Sequence, residues 1–220
     1  MTTIPQESKL EIIPVEPAYG VNYNKGYIGF TYDGTHPVGR AIAYFTRWHK
    51  MSDIYATHAL IVTGKNSCIE ADAFRNCVKE SDLNHYFDHE NCQIFFRKPK
   101  GLNDEIANRI VESVKPEIGK EYDFKLILSH VGLGSFTGHL HNCLSRGRIE
   151  HKLSDLLDHS NQWICSELAA YALDEQAEYH NQGILKHSNS TINPQELFED
   201  SVIFEPWKDG IIKPLSLKLP

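Results

Sequence analysis

The sequence predicts an α+β domain in which a small antiparallel sheet or barrel packs against helices. Apolar and β-branched residues fill positions 55–63 and 67–71 on either side of Gly64-Lys65-Asn66, which is the pattern of a β-hairpin. Positions 103–114 and 165–179 instead repeat apolar residues at helical spacing. A chain of 220 residues is long enough to bury a core of its own, so we expect one domain.

The charge balance bears on the partners. Lys and Arg total 22 against 29 Asp and Glu, which gives a formal net charge of −7. Such a chain has no overall attraction to a phosphate backbone or an anionic bilayer, so nucleic acid is disfavoured as the main partner. No run of apolar residues approaches the ~18 needed for a membrane span. The acidic first 25 residues do not resemble a secretion signal.

Cysteine usage indicates a reducing environment. The five cysteines are odd in number and widely spaced, which does not suit a disulfide scaffold. Together with the lack of a recognisable secretion signal, this favours a cytoplasmic protein with at least one free thiol.

The N-terminal part divides into three predicted segments. Residues 1–25 are expected to form an extended N-terminal arm, and the single domain is expected to span 26–220. Glycines and aromatics over 26–40 suggest a loop and a strand, and apolar residues at helical spacing over 38–51 predict a short helix.

The remaining elements follow in order. After the hairpin, residues 93–97 predict a third strand, and Asn103 is a suitable N-cap for the helix over 103–114. A long loop or insertion is expected over about 129–160, a region rich in histidine. The last predicted helix begins at Cys165 and ends before Asn181-Gln182-Gly183.

Cys165 is the first candidate for chemistry because it lies where extended chain becomes helix. A helix N-terminus presents unpaired N–H groups and partial positive charge, which stabilise a thiolate and the oxyanion formed when that thiolate attacks a carbonyl. The alternative is a buried structural cysteine, since free cysteine is among the most buried residue types.

The predicted hairpin offers a base and a group to orient it. His58 begins one strand and Glu70 lies on the other, so a turn at Gly64-Lys65-Asn66 places the two nearly opposite each other. A carboxylate there could fix the tautomer of the imidazole. The alternative for His58 is a histidine that only packs in the core.

Several pieces of the chain resemble one family when taken in order. The pieces are Ala43-Tyr44-Phe45-Thr46, the segment from Tyr55 to Val62, Ile69-Glu70-Ala71, the segment from Gly119 to Phe124, the segment from Trp163 to Leu168, and the segment from Thr191 to Leu197. This set is similar to the circularly permuted NlpC/P60 proteins with a papain-like fold, the group of the YiiX and YaeF type proteins. In that family the histidine strand precedes the nucleophile helix, as it does here.

The resemblance implies a permuted papain-like fold and a cysteine-dependent hydrolase or acyltransferase that cleaves an amide, isopeptide or ester bond. It implies Cys165 as the nucleophile, His58 as general base and acid, and Glu70 as the residue that orients His58. The backbone N–H of Cys165 would join the oxyanion hole. Tyr122, Trp163 and Ser166, which lie in the matched pieces, are predicted to bind substrate. The expected substrate is a peptide, an isopeptide or an acyl lipid, and no cofactor or metal is required.

Two other functions stay open at this stage. The same scaffold could be a noncatalytic module that binds a peptide or a lipid, in which case Cys165 would react like an ordinary thiol. A zinc site could use His139, His141 and Cys143, which alternate along one segment. His85 and His89 are one helical turn apart, but Tyr86 stands where a zinc-protease helix needs glutamate, so an exposed helical face is expected there.

The other two candidate motifs are weaker. The glycines over 132–138 do not match a dinucleotide loop, and a flexible loop is expected instead. The charged residues over 82–90 are expected to form exposed chain between strands.

Overall fold

The computed structural model describes residues 14–33, 54–122, 162–206 and 211–212. The helix predicted over 38–51, the loop predicted over about 129–160 and the three zinc-ligand candidates lie outside these ranges. The described part is of the α+β class.

The described strands belong to one open sheet. Along the chain they are β1 (Pro14–Val15), β2 (Ile28–Asp33), β3 (His58–Val62), β4 (Ser67–Asp72), β5 (Cys77–Asp82), β6 (Cys92–Arg97), β7 (Glu121–Tyr122), β8 (Gln162–Trp163) and β9 (Ile211–Ile212). Their order across the sheet is β1-β9-β6-β2-β3-β4-β5-β7-β8. The central strands pair antiparallel, and the parallel pairs β1–β9 and β7–β8 lie at the two ends.

The predicted hairpin and third strand are confirmed. β3 and β4 pair antiparallel, and Thr63 and Ser67 close the turn through both their backbone and their hydroxyl groups. Residues 55–57 precede the strand rather than forming part of it. β6 covers the strand predicted over 93–97.

Four α-helices lie in the described part of the chain: α1 (Asn84–Phe87), α2 (Asp104–Val114), α3 (Cys165–Asp174) and α4 (Pro194–Glu199). The helix predicted over 103–114 is confirmed by α2, where Asn103 accepts a hydrogen bond from the Ile106 N–H at 2.9 Å. Asn193 caps α4 in the same way, accepting from the Glu196 N–H at 2.9 Å. Both caps satisfy N–H groups that have no partner within the helix.

α3 is shorter than the sequence pattern predicts. It begins at Cys165 as expected but ends at Asp174, five residues before the predicted end. The Gln176 side chain turns back and donates to the Ala172 carbonyl at 2.9 Å, which caps the last turn. Residues 175–181 then form turns and a bend, with Asn181 in the left-handed region at a φ of 55°.

Two apolar clusters lie about the central strands. Alternate residues of β3, Ala59 and Ile61, belong to the larger cluster with Leu168 and Ala169 of α3. The intervening residues Leu60 and Val62 belong to the smaller cluster. Its other members are Tyr23, Cys68, Leu83, Ile94 and Phe96, with Val15, Tyr27, Tyr86 and Phe87 packed against it. The strand therefore contributes to both clusters, as its period of two residues allows.

The predicted N-terminal arm over 1–25 is described from residue 14 onward. There Pro14–Val15 forms β1 beside β9, and Tyr23 is buried with its hydroxyl donating to the Lys65 carbonyl at 2.7 Å. This part of the predicted arm is in contact with the sheet.

Among the helices of the described ranges, none combines the length and the apolar character needed to cross a bilayer.

Candidate active site

The β3–β4 hairpin holds His58 next to Glu70. His58 Nε2 lies 2.6 Å from Glu70 Oε2. The register pairs Ile61 with Ile69 and Val62 with Cys68, and its continuation places Glu70 opposite Leu60. The expectation that the two residues lie nearly opposite is therefore corrected: they are diagonal neighbours, a separation that a glutamate side chain can span.

Cys165 occupies the first position of α3, after Ile164 as N-cap. An isoleucine has no side-chain oxygen to offer the N–H groups of the first turn, so these groups remain available to other acceptors. The Glu167 carboxylate accepts a hydrogen bond from the Ile164 N–H at 3.3 Å, so the backbone N–H of the N-cap residue has a partner. The Cys165 residue is buried, with 5% of its surface exposed.

The thiol of Cys165 interacts with the imidazole of His58, and each group shifts the pKa of the other. Burial by itself would raise the pKa of the Cys165 thiol. The charge and hydrogen bond of His58, together with the backbone groups of Ala59 and Ser166, lower that pKa instead. Burial also disfavours an imidazolium, but Cys165 and Glu70 outweigh this effect and raise the pKa of His58 to about 10. The arrangement favours a thiolate–imidazolium pair over a neutral thiol and imidazole.

Glu70 is a buried carboxylate with several hydrogen-bond donors around it. Its side chain is 4% exposed, and burial by itself would raise its pKa. Hydrogen bonds with His58 and Tyr86 and a contribution from Ser81 lower the pKa of Glu70 to about 2. Lys79 lies at 4.0 Å from Oε1 of the same carboxylate. Glu70 is therefore charged over the physiological pH range.

Only one ring nitrogen of His58 is engaged by Glu70, and that nitrogen is Nε2. The other ring nitrogen, Nδ1, is then the one that can accept the proton of the Cys165 thiol. The order of groups is thiol, imidazole, carboxylate, and the imidazole side chain retains 22% exposure to solvent. Such an order can deprotonate a thiol and later return a proton to a leaving group.

Tyr86 is a residue of the site that the sequence interpretation missed. Its hydroxyl donates a hydrogen bond to Oε2 of Glu70. The expectation of exposed chain over 82–90 is wrong around this residue, because Leu83 is fully buried and 84–87 form α1. Nothing in the local sequence distinguishes Tyr86. The signal that this segment packs against the sheet is the apolar Leu83 near the pair Tyr86-Phe87 in an otherwise polar stretch.

The three residues predicted to bind substrate lie in different surroundings. Tyr122 is buried in the larger cluster and pairs with Trp163 between β7 and β8. Trp163 is half-buried and donates through Nε1 to Glu117 at 2.7 Å, with its ring 5.0 Å from that of Tyr171. Ser166 is fully buried, and its hydroxyl has no hydrogen-bond partner among the described residues. Contact of these residues with substrate stays a prediction.

The other thiols of the described chain differ from Cys165. Burial and neighbouring carboxylates raise the pKa of Cys68 well above its usual value, and burial with the charge of Asp33 raises that of Cys92 to about 12. Within the described ranges Cys68, Cys77, Cys92 and Cys165 are all free of disulfides. In contrast to Cys68 and Cys92, Cys165 has surroundings that favour the reactive thiolate.

The described residues hold no cluster of three or more His, Cys, Asp or Glu side chains arranged to bind a metal ion. His85 is exposed on α1, and His89 follows the helix at 3.9 Å from Asp33.

Comparisons with models of protein families and with curated proteins return no match to this chain.

Proposed function

We propose that this protein is a cysteine-dependent hydrolase or acyltransferase that works through a thioacyl-enzyme intermediate, on a papain-like fold of circularly permuted topology. The support for the topology is the order of the elements, since the strand that carries His58 precedes the helix that begins at Cys165. An α3 helix packed against β3 and β4 is consistent with this fold.

A single observation supports the chemistry most directly. His58 lies between a thiol at a helix N-terminus and a buried carboxylate, with Nε2 at 2.6 Å from Glu70. A histidine that served only to pack in the core would not need both partners, and a purely structural cysteine would have a raised pKa, as Cys68 has.

In the first half of the reaction, the Cys165 thiolate attacks the carbonyl carbon of an amide or ester and forms a C–S bond. The carbonyl oxygen becomes an oxyanion, for which N–H groups at the start of α3, including that of Cys165, are suitable donors. The tetrahedral intermediate collapses and the C–N or C–O bond breaks. The proton on Nδ1 of His58 passes to the leaving amine or alcohol, and a thioester remains on Cys165.

In the second half, neutral His58 removes a proton from water or from another acceptor, which attacks the thioester. Collapse of this second intermediate breaks the C–S bond, releases the acyl product and restores the thiolate and the imidazolium. Glu70 keeps its negative charge throughout and stabilises the imidazolium at both stages. Water as acceptor gives a hydrolase, and an amine or alcohol gives a transferase.

The proposal includes the substrate class and the residues that meet it. An amide, isopeptide or acyl-lipid carbonyl is the group that a thiolate with an acid at its side can cleave. Trp163, two residues before the nucleophile and half-buried, is the most accessible of the three proposed substrate-binding residues. Because a nucleophilic thiol must stay reduced, we propose a reducing compartment such as the cytoplasm.

The test is to trap the acyl-enzyme. The purified chain is incubated with an activated acyl ester, and intact-protein and peptide mass spectrometry locate the adduct. We expect one thioester on Cys165, absent in Cys165→Ala and strongly reduced in His58→Ala. The matched control is Cys77→Ala, which removes a half-buried thiol on β5 and should leave acylation unchanged. Acylation of Cys165→Ala at the wild-type rate would refute the proposal.

A further inference from the structure

We infer that Tyr86 is a positioning residue for the Cys165–His58 pair and acts through Glu70. The inference rests on the proposed function, because a positioned imidazolium matters only if Cys165 is a nucleophile. Tyr86 lies on α1, outside the two strands and the helix that carry the three proposed catalytic residues.

Two donors converge on a single oxygen of Glu70. His58 Nε2 lies 2.6 Å from Oε2, and the Tyr86 hydroxyl donates to that same atom. A glutamate side chain has three rotatable bonds and reaches His58 diagonally, so one hydrogen bond alone would leave its carboxylate free to rotate. The second donor fixes the plane of the carboxylate. The carboxylate in turn fixes the orientation of the His58 ring and keeps a proton on Nε2.

The fold holds the Tyr86 hydroxyl in place. Leu83, just before α1, is fully buried, and its N–H donates to the Asn66 carbonyl at 2.9 Å, which ties α1 to the β3–β4 turn. The rings of Tyr86 and His58 lie nearly parallel at 25°, with centroids 6.3 Å apart. Tyr86 therefore packs beside the imidazole while bonding to its partner.

The phenol is suited to being a permanent donor. Burial and the charge of Glu70 both raise the pKa of Tyr86, so its hydroxyl keeps its proton at every pH at which the enzyme would work. The hydrogen bond from this hydroxyl stabilises the carboxylate and lowers its pKa, so Glu70 resists protonation. Glu70 then stays charged, and the Nε2 of His58 must be the protonated nitrogen.

Other titratable groups face this contact and must be considered in any pH experiment. Lys79 of β5 lies 4.0 Å from Oε1 of Glu70 and 2.7 Å from Asp72. Cys68 of β4 and Cys92 of β6 also act on Tyr86, and both keep their protons because their pKa values are raised. His85 of α1 also faces Tyr86, with ring centroids 5.6 Å apart. The variants compared below all retain His85, so differences between their profiles come from the substituted side chains.

The experiment measures the rate of alkylation of Cys165 by iodoacetamide against pH, with the site of modification read by mass spectrometry. The wild-type chain should give a plateau that begins at acidic pH, where the thiolate–imidazolium pair forms, and changes again where His58 loses its proton. In Tyr86→Phe we expect the midpoint of the acidic limb to move to higher pH and the midpoint of the alkaline limb to move to lower pH, each by about one pH unit. The ring is retained, so only the donated proton is lost.

Tyr23→Phe is the matched control. Tyr23 lies in the smaller apolar cluster, and its hydroxyl also makes one hydrogen bond, to the Lys65 carbonyl at 2.7 Å. This variant should lose stability comparably to Tyr86→Phe and leave the alkylation profile unchanged. A double variant then tests whether Tyr86 acts through Glu70. In a Glu70→Gln background, adding Tyr86→Phe should shift the alkylation profile no further.

The outcomes separate the two proposals. A wild-type profile that titrates like a simple thiol, with no acidic plateau, would overturn the proposed function and this inference with it. A wild-type plateau that Tyr86→Phe leaves unmoved would overturn the role of Tyr86 alone. An equal shift by Tyr86→Phe in the wild-type and Glu70→Gln backgrounds would also overturn it, because the hydroxyl would then act without Glu70.

Discussion

His58 Nε2 and Glu70 Oε2 lie 2.6 Å apart across two adjacent strands. Both residues are in the same hairpin, so the fold sets their separation locally. Cys165 lies at the start of a helix about a hundred residues farther along the chain. The hairpin therefore orients the imidazole of His58 by itself. The packing of α3 on β3 and β4 determines whether the Cys165 thiol lies next to that imidazole.

Replacing His58 by Ala should slow alkylation of Cys165 at pH 6. The imidazolium is what lowers the pKa of this buried thiol; without it, burial raises that pKa and the thiolate fraction falls. We expect a loss of at least ~10-fold in the iodoacetamide rate at pH 6, corresponding to a shift of more than one pH unit.

The control for this experiment is His180→Ala, which removes an exposed imidazole beyond the far end of α3. Its alkylation rate should equal that of the wild type. Equal rates in His58→Ala and the wild type would mean that the thiol is not activated by His58.

The free energy of unfolding should fall at acidic pH because of Glu70. The pKa of this carboxyl is about 2 in the folded chain against an ordinary value of 4.5. Since the folded pKa is the lower one, the stabilisation is complete above pH ~4.5 and is lost as the pH falls toward 2. The shift corresponds to about 3 kcal/mol. Urea unfolding between pH 2.5 and 7 measures this loss.

Glu70→Gln should be less stable than the wild type at pH 7, since a buried partner of His58 is lost, and should show a shallower decline toward acid. Glu80→Gln on β5 is the control, because it removes an exposed carboxylate from the neighbouring strand. Its decline should parallel that of the wild type. A wild-type-like slope in Glu70→Gln would show that Glu70 titrates normally.

The sequence predicts best those elements whose determinants are local. The hairpin is marked by its turn residues, and α2 by the Asn103 cap and its apolar period, so both form where expected. The end of α3 is different, because the Gln176 side chain competes for the Ala172 carbonyl. The apolar periodicity of a sequence contains no information about such a hydrogen bond. The helix ends at Asp174 although the apolar pattern continues.

The site follows the same division. Cys165, His58 and Glu70 could be named from sequence because each has a local signature, and the structure brings their side chains together. Tyr86 could not, because its importance depends on which strand β5 pairs with and on where α1 then lies. The diagonal relation of His58 and Glu70 also depends on a register that a shift of one residue would change.

Gln195 links α4 to the chain just before β3, and Gln195→Leu should destabilise the fold. Its Oε1 accepts from the Ala56 N–H at 2.8 Å and its Nε2 donates to the Ile54 carbonyl at 3.1 Å. The residue is 1% exposed, so the leucine would deprive the buried Ala56 N–H of this acceptor and remove the hydrogen bond to the Ile54 carbonyl. We expect a loss of about 2–4 kcal/mol in urea unfolding.

Gln182→Leu serves as the control for that change. Gln182 is exposed, and its Nε2 donates to the Glu178 carbonyl at 2.8 Å, where water can replace it. Its replacement should change stability by less than ~0.5 kcal/mol. Comparable losses in the two variants would mean that the contact of α4 with residues 54–56 contributes little.

Gly26 and Gly20 form a pair that separates backbone strain from packing. Both have left-handed φ angles, +81° and +82°, so alanine is disfavoured at either position. A Cβ at Gly26 would lie 2.8 Å from the Cα of Ala107 on α2, whereas at Gly20 it would meet no described atom within 4 Å. Gly20→Ala should therefore cost about 1 kcal/mol, from backbone strain alone.

Gly26→Ala should cost about 1–3 kcal/mol more than Gly20→Ala, because the start of β2 must move away from α2. The Gly26 N–H also donates to the Val62 carbonyl at 2.9 Å, so this movement would pull on the end of β3. Urea unfolding of the two variants side by side gives the difference directly. Equal losses would indicate that α2 can shift without cost, and that its packing against this turn does not hold β3 in place.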